Sequence, residues 1–482
     1  MAKILILGAG FAGQTAALYL GAALGRDHEI TLVNRSGRFL YVPSLVWVGT
    51  ARMAPEKTQF ELGPVCKRMG VNFVHGLATE VNPDEGYALV LPKSETGEDA
   101  STLRRFDYDY LVVATGPQLN FAGTEGLGPA AGNSWSICTL GHAVQCRDRY
   151  LESVARMEQG EKQRLVIGTG HPGATCQGAA FEYITNIHKD LVRRRLRDRA
   201  ELVWLSNERA AGDFGVRGVQ VRHKGKTSSS EDFIGAVFRD FGIECQVRRG
   251  VKAVGPGVAQ WEDFDGVDGE TRFDFAMLIP QFTGVPIAWR GEGGKDVSED
   301  VVNPGGFVKV DGIYGLPWDQ LAETPDAWPG YYQNRRYRNL FAAGIAFAPP
   351  GPISQPHVTP RGTVMAAAPP RTGMVSGIIG RVVARNIVDL VRRGRMGHHE
   401  RMSEMYAACI ASMGDSLWDG GAATIMIYPV VPDPRRFPAE GGRDLFVTHM
   451  EMGLAGAWMK RLIHSTFIHK LQGRPGWKLI PE

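Results

Sequence analysis

An α/β fold is what this sequence predicts: two doubly wound parallel-sheet units, with a helical segment at the C-terminal end. Three observations carry the expectation. Glycine motifs stand at GAGFAG (8–13) and GTGHPG (168–173), each following an apolar run and preceding a helical one. A strand pattern of the first kind returns at Asn339 to Ala346 (NLFAAGIA) and runs into another glycine. From Glu451 to Leu471, apolar and basic residues separate at helical spacing.

Lys3 to Leu7 reads as a buried strand, Gln14 to Leu24 as an Ala- and Leu-rich helix, and Glu29 to Val33 as the next strand. The glycines between strand and helix allow a tight turn, close approach of a pyrophosphate, and packing of helix on strand. The helix start then offers unpaired N–H groups to phosphate oxygens. Tyr110 to Gly116 is another buried strand, and a second βα unit opens at Arg164 with Gly168, Gly170 and Gly173 in the motif positions. Phe273 to Pro286 reads as a further apolar strand, and Thr372 to Arg392 as a helix. Two Rossmann-like dinucleotide-binding units, the first resumed after the second, describe a flavoprotein reductase architecture. The expected divisions are 1–135, 136–286, 287–400 and 401–482, the last carrying the terminal helix. His223 to Glu231 reads as a loop, Gly255 to Gly269 as a hairpin, and Gly312 to Tyr332 as an insertion.

With 482 residues, 44% of them hydrophobic and 22% charged, the chain supports several domains and a large core. Its 54 basic residues nearly balance 51 acidic ones, so nothing steers it toward nucleic acid. No uninterrupted apolar run reaches membrane-spanning length. Only Met1, Ala2 and Lys3 precede the first apolar run, which reads as a strand and not as a signal peptide.

The six cysteines, at 66, 138, 146, 176, 245 and 409, never form C-x-x-C, which argues against a zinc site and a thioredoxin-like dithiol. Two readings remain: inert buried thiols, or a redox set assembled from distant segments. Cys176 stands near a helix start, where backbone N–H groups favour a thiolate, and Thr139 after Cys138 is placed to cap a helix.

The motifs YVPSLVWVG (41–49), SICTLGH (136–142), GATCQGAAFEY (173–183), NPGGFVKVD (303–311), LFAAGIAFAPP (340–350) and AACIASMGD (407–415) together resemble the sulfide:quinone oxidoreductase family. They look like the branch with three functional cysteines, at Cys138, Cys176 and Cys409. The resemblance implies sulfur carriage at Cys176, electron donation from Cys409, product release near Cys138, acid–base work at Glu182 and proton traffic at His142. A second family histidine is replaced by Asp213.

FAD is the implied cofactor, held at Gly8, Gly10, Phe11, Ala12 and Gly13. Further implied contacts are Asn34 and Arg35, where the usual acidic residue is missing, then Pro43, Ser44, Ala78, Thr115 and Gly116. From the returning segment come Gly344, Arg371, Thr372 and Gly373, with Arg371 offering positive charge to the reduced ring. Hydrosulfide and a membrane quinone are the implied substrates, with Ile410 and Ile463 flanking the quinone.

In the terminal helix Ala455, Met459, Leu462, Ile463 and Phe467 share one face, with Trp458 at its edge and Lys460, Arg461 and His464 opposite. Such a helix suits the bilayer interface, so the expectation is a peripheral membrane protein on the cytoplasmic side, with a homo-oligomer open to it. Competing readings are the flavin subunit of a flavocytochrome c type sulfide dehydrogenase, a type-two NADH:quinone dehydrogenase, and a non-catalytic FAD-binding sensor or scaffold. Cys176 inside the second glycine segment, and Ser206 and Asn207 before the first acidic residue Glu208, favour sulfide over NADH.

Overall fold

The computed structural model describes residues 1–25, 27–93, 102–223, 226–369, 372–414, 418 and 420–482. Strand β1 (Lys3–Leu7) leads through Gly8–Gly10 into helix α1 (Phe11–Leu24) and strand β2 (Glu29–Asn34). Strands β3 (Asn72–Asn82) and β4 (Tyr110–Val113) complete the local sheet, in which β1 pairs in parallel with β2 on one side and β4 on the other. The glycine turn therefore leaves the sheet at a switch point, where ligands of open α/β sheets bind. Leu340–Ala342 adds to the same sheet beside β4, so the first unit is resumed late in the chain.

Helix α2 (Leu140–Glu158) precedes the second unit, built from β5 (Gln163–Thr169), α3 (Gln177–Arg194), β6 (Ala200–Leu205), Ile243–Gln246 and β7 (Phe275–Ile279). These four strands run parallel, with β5 between β6 and β7. Nearly all side chains of β5, β6 and β7 are buried, as expected of a parallel sheet covered on both faces, while the edge strand Ile243–Gln246 is partly exposed. Helix α4 (Gly373–Arg393) then returns to pack along α1.

A three-stranded antiparallel sheet, β8 (Ala407–Met413), β9 (Gly421–Ile427) and β10 (His449–Gly453), leads into helix α5 (Leu454–Leu471). Strand β8 packs against α3, and α5 lies across β8 and β9. Gly456 makes that crossing close, because a Cβ there would meet Thr424 Oγ1 at 2.7 Å.

Three expectations change. The stretch from His223 to Glu231 is not a loop: Gln220–His223 and Lys226–Ser229 pair as a hairpin, and Ser230 opens a helix whose N-cap is Ser229. The Ser229 hydroxyl and the Asp232 carboxylate reciprocally satisfy the exposed N–H groups, a capping box that reads as polar loop composition in sequence. The single hairpin at Gly255 is a three-stranded meander, Arg249–Gly255, Val258–Asp263 and Asp268–Arg272. The segment from Gly312 to Tyr332 is core and not an appendage, since Trp328 and Tyr332 are fully buried in the main cluster. Asp311 holds it by accepting the backbone N–H groups of Gly330, Tyr331 and Tyr332.

Candidate active site

The first glycine turn has room for a phosphate and little else. A Cβ on Gly13 would stand 1.8 Å from Gly8 O, and one on Gly8, whose φ is +101°, would stand 2.3 Å from Ala114 O. A Cβ on Gly10 would meet nothing within 4 Å. Helix α1 starts there with no side-chain cap and no acidic residue in its first turn. An uncapped N-terminus facing open space is what a pyrophosphate requires, so these residues fit a dinucleotide cofactor. Gly13→Ala is expected to abolish cofactor retention, measured as flavin released per chain on purification, because backbone and not a flexible side chain blocks the added methyl.

Most other expected cofactor residues gather around this turn. Thr115 and Gly116 follow β4, with the Thr115 Cα 2.7 Å from where a Gly8 Cβ would be. Gly344 and Gly373 approach Ala12 and the Phe11 ring, at 2.8 and 3.0 Å from their would-be Cβ positions. Thr372 caps α4 by accepting from the Val375 N–H. A cleft lined by Gly344, Phe347, Thr372, Val375, Ser376 and Met402 opens beside them. Pro43 and Ser44 lie in the Val42–Ser44 turn after Tyr41, whose ring packs on Phe11 at 5.5 Å. Ala78 is buried on β3, and Arg35 is exposed at the end of β2. Arg371 falls outside the described residues.

Asn34 stands at the end of β2, beside the glycine turn. Its Oδ1 accepts the Ala9 N–H at 3.0 Å and its Nδ2 donates to Ser36 O at 2.8 Å, so its amide is engaged in closing the glycine loop.

The second glycine segment is built unlike the first. Gly168 lies within β5, and seven residues, 170–176, separate that strand from α3. Asn207 fills the corner where a ribose-binding acid would stand, donating to Pro172 O and Ala174 O and accepting from Gln177 Nε2. Thr175 ties the loop to Ala368 O and Pro369 O. The cradle is stitched to itself, and Cys176 ends it as the N-cap residue of α3, with φ at +65°.

Cys138, Cys176 and Cys409 are all half-buried at the edge of one apolar cluster that includes Ile137, Phe181 and Tyr183. Cys409 lies on β8 so close to the head of α3 that a Cβ on Gly178, two residues after Cys176, would be 3.6 Å from its Sγ. Side chains of α3 staple this arrangement: Thr185 and Asn186 donate to Ser412 O, and Asn186 Oδ1 accepts the Gly414 N–H. Thr139 caps α2 by accepting the His142 N–H, as its position after Cys138 predicts. Burial pushes the Cys138 thiol up to about 11. Burial does the same for Cys409, also to about 11, opposed by Lys460 and reinforced by Glu182. As free thiols, both would therefore be protonated at neutral pH.

Glu182 is buried on α3, accepting from the Ser412 hydroxyl and pairing with Lys460 at 3.1 Å. Lys460, Arg461 and His464 were expected together on an outward polar face; of the three only Arg461 is exposed. Lys460 is buried and His464 half-buried, its Nδ1 2.8 Å from Ser44 Oγ. Trp458, Met459 and Leu462 are 51%, 43% and 62% exposed. Burying a charge is tolerable only with a partner, and Glu182 is that partner, 278 residues away and invisible to helical periodicity. Ile410 is buried on β8, and Ile463 is half-buried on α5, the helix that crosses it. His142 packs edge-on against Phe121, its Nδ1 buried without a partner, and burial lowers its pKa. Asp213 is bound to the Ser354 hydroxyl.

The pattern of the family described as "Pyridine nucleotide-disulphide oxidoreductase" matches residues 2–257. A sulfide-quinone reductase of Aquifex aeolicus is 27% identical over 443 residues, spanning 92% of this chain and 87% of that protein. A type II NADH:quinone oxidoreductase of Haemophilus influenzae is 30% identical over 130 residues, only 26% of this chain and 29% of its own length. Among solved structures, the sulfide:quinone oxidoreductase of Aquifex aeolicus superposes with a TM-score of 0.78 at 25% identity, covering 99% of this chain and 93% of that one. NDH2 of Plasmodium falciparum shares the fold, with a TM-score of 0.64 at 10% identity and coverages of 99% and 97%. With a family match over more than half its length, glycine turn included, the chain belongs to the pyridine nucleotide-disulphide oxidoreductase family.

Proposed function

We propose that this protein is an FAD-dependent sulfide:quinone oxidoreductase that works at a membrane surface. The observation that carries the reading is the approach of Cys409 to the helix headed by Cys176, beside a buried carboxylate–ammonium pair. The full-length similarity to the Aquifex aeolicus sulfide-quinone reductase supports it.

In this reading Cys176 and Cys409 begin joined through sulfur. Hydrosulfide attacks the Cys176 side, forming a persulfide there as the bond to Cys409 breaks and Cys409 leaves as a thiolate. Lys460 stabilises that thiolate, which burial alone would disfavour. Closing a sulfur bridge from the persulfide back to Cys409 releases one proton and two electrons. Glu182 takes the proton, and bound FAD supplies the two-electron acceptor that passes charge to quinone. Cys138 serves the release of sulfur chains. The decisive test is anaerobic titration with sulfide followed by a soluble quinone: flavin absorbance should bleach and then return, and flavin that stays oxidised under sulfide would end the reading.

Among the described residues no helix is long and apolar enough to cross a membrane. The outward Trp458, Met459 and Leu462 instead suit insertion of one helix face into the interface, with quinone entering alongside Ile410 and Ile463. Leu462→Glu removes about 2 kcal/mol of apolar burial. Flotation with lipid vesicles should show binding weakened by more than about tenfold, with sulfide-dependent flavin bleaching retained. An NADH dehydrogenase is disfavoured because Asn207 and the 170–176 loop occupy each other's polar groups at the second cradle.

A further inference from the structure

Helix α5 has two different faces, and its inward face carries more polar chemistry than docking requires. Lys460 is committed to Glu182, but His464, one turn later, reaches a separate segment 420 residues away, Ser44 in the Val42–Ser44 turn. Its ring packs edge-on against Tyr41 at 5.2 Å and lies 6.3 Å from the Trp47 ring, and Tyr41 in turn packs on Phe11 of the glycine turn. His464 thus stands between the cofactor cradle and the helix whose other face is exposed and apolar.

We infer that His464, hydrogen-bonded to Ser44, is a proton-transfer residue for the quinone that approaches along α5. This rests on the quinone-reducing role proposed above. Converting a quinone to a quinol takes two electrons and two protons. The reduced cofactor supplies the electrons and one proton; the other must cross an apolar entrance. An imidazole can take a proton at one nitrogen while giving one up at the other. A proton from water first converts the ring to imidazolium; an N–H bond of His464 then breaks as an O–H bond forms on the quinone oxygen, and the ring returns to its neutral state. Ser44 holds the Nδ1 side and fixes the ring plane.

The charged and titratable groups around the ring suit this use. Lys460 faces it from its own helix, Lys57 from the Pro55–Thr58 turn, and Tyr41 from the segment before Ser44, with Glu182 lying beyond Lys460. Burial first, then Lys460 and Lys57, hold the His464 pKa below its ordinary value, so the ring rests neutral at neutral pH. Tyr41, whose pKa is pushed up chiefly by burial, does not compete as a donor. Because the ring must be protonated to donate, quinone reduction should slow as pH rises through the His464 pKa.

The test uses the FAD-loaded protein reduced anaerobically with dithionite, then mixed with a soluble short-chain ubiquinone. Dithionite bypasses the sulfur chemistry, so this result is independent of whether sulfide reduces the flavin. His464→Gln should reoxidise at least about tenfold more slowly and lose the alkaline limb of the pH profile, while the dissociation constant of the quinone, read from tryptophan quenching in the oxidised protein, stays within about twofold. Ser44→Ala keeps the ring and should shift the limb without removing it. Imidazole should restore rate to His464→Ala. Ring-15N spectra of labelled protein should show the His464 titration midpoint moving when quinone binds. Wild-type rate and limb in His464→Gln would overturn the proposal, as would weakened quinone binding with an unchanged saturated rate or a titration blind to quinone. Sulfide failing to bleach the wild-type flavin would instead defeat the broader reading.

Discussion

Cys176→Ser and Cys409→Ser are each expected to cut sulfide-driven flavin reduction by about 1,000-fold or more, equivalent to roughly 4 kcal/mol of barrier. Serine nearly matches cysteine in volume, so the apolar cluster around Cys138, Phe181 and Tyr183 should survive, and flavin content should be unchanged. What serine lacks is the capacity to form and break sulfur–sulfur bonds, on which every step of the proposed cycle depends. The measurement is stopped-flow bleaching of flavin under anaerobic sulfide. Cys245→Ser is the control, because Cys245 is exposed and is not one of the three cysteines of the proposed site, and it should retain the full rate. Wild-type bleaching in either Cys176→Ser or Cys409→Ser would remove the sulfur bridge from the mechanism.

Lys460→Met is expected to have two effects with separate readouts. Removing one partner of a buried ion pair leaves Glu182 uncompensated, which costs about 3–5 kcal/mol. A chemical denaturation midpoint should therefore fall sharply. The double variant with Glu182→Gln should regain most of that loss, since the remaining amide can still bond the Ser412 hydroxyl. Chemistry should respond in the other direction. Lys460 is the group that opposes burial at Cys409, so its loss drives the thiol further up and moves the pH profile of sulfide-driven bleaching toward alkaline values. Glu182→Gln alone should relax that profile toward lower pH, because the carboxylate pushes the thiol up. Identical profiles in all three proteins would show that the pair is structural only.

Local features were legible because their causes are local. The glycine turn at 8–13 is visible in sequence because only a residue without a Cβ fits where backbone meets backbone, at Gly8 against Ala114 and Gly13 against Gly8. Strand and helix positions around β1, α1 and β5 follow from short-range periodicity. In the second glycine motif Gly168 is required by its approach to Leu205 O on the neighbouring strand, 1.7 Å from a would-be Cβ, a demand independent of any phosphate. Spacing alone does not separate those two demands. The Ser229 capping box and the Asp311 anchor were missed because polar residues that satisfy backbone groups look the same in sequence as polar residues facing water.

By itself the sequence determined the α/β architecture, the phosphate cradle, and which cysteines merited attention. Only the tertiary structure decided which way α5 faces and who its partners are. An amphipathic helix carries two stripes but no label for inside. Here Glu182 and Ser44, brought from distant segments, supply partners that make burying Lys460 and His464 cheaper than burying Trp458 and Leu462.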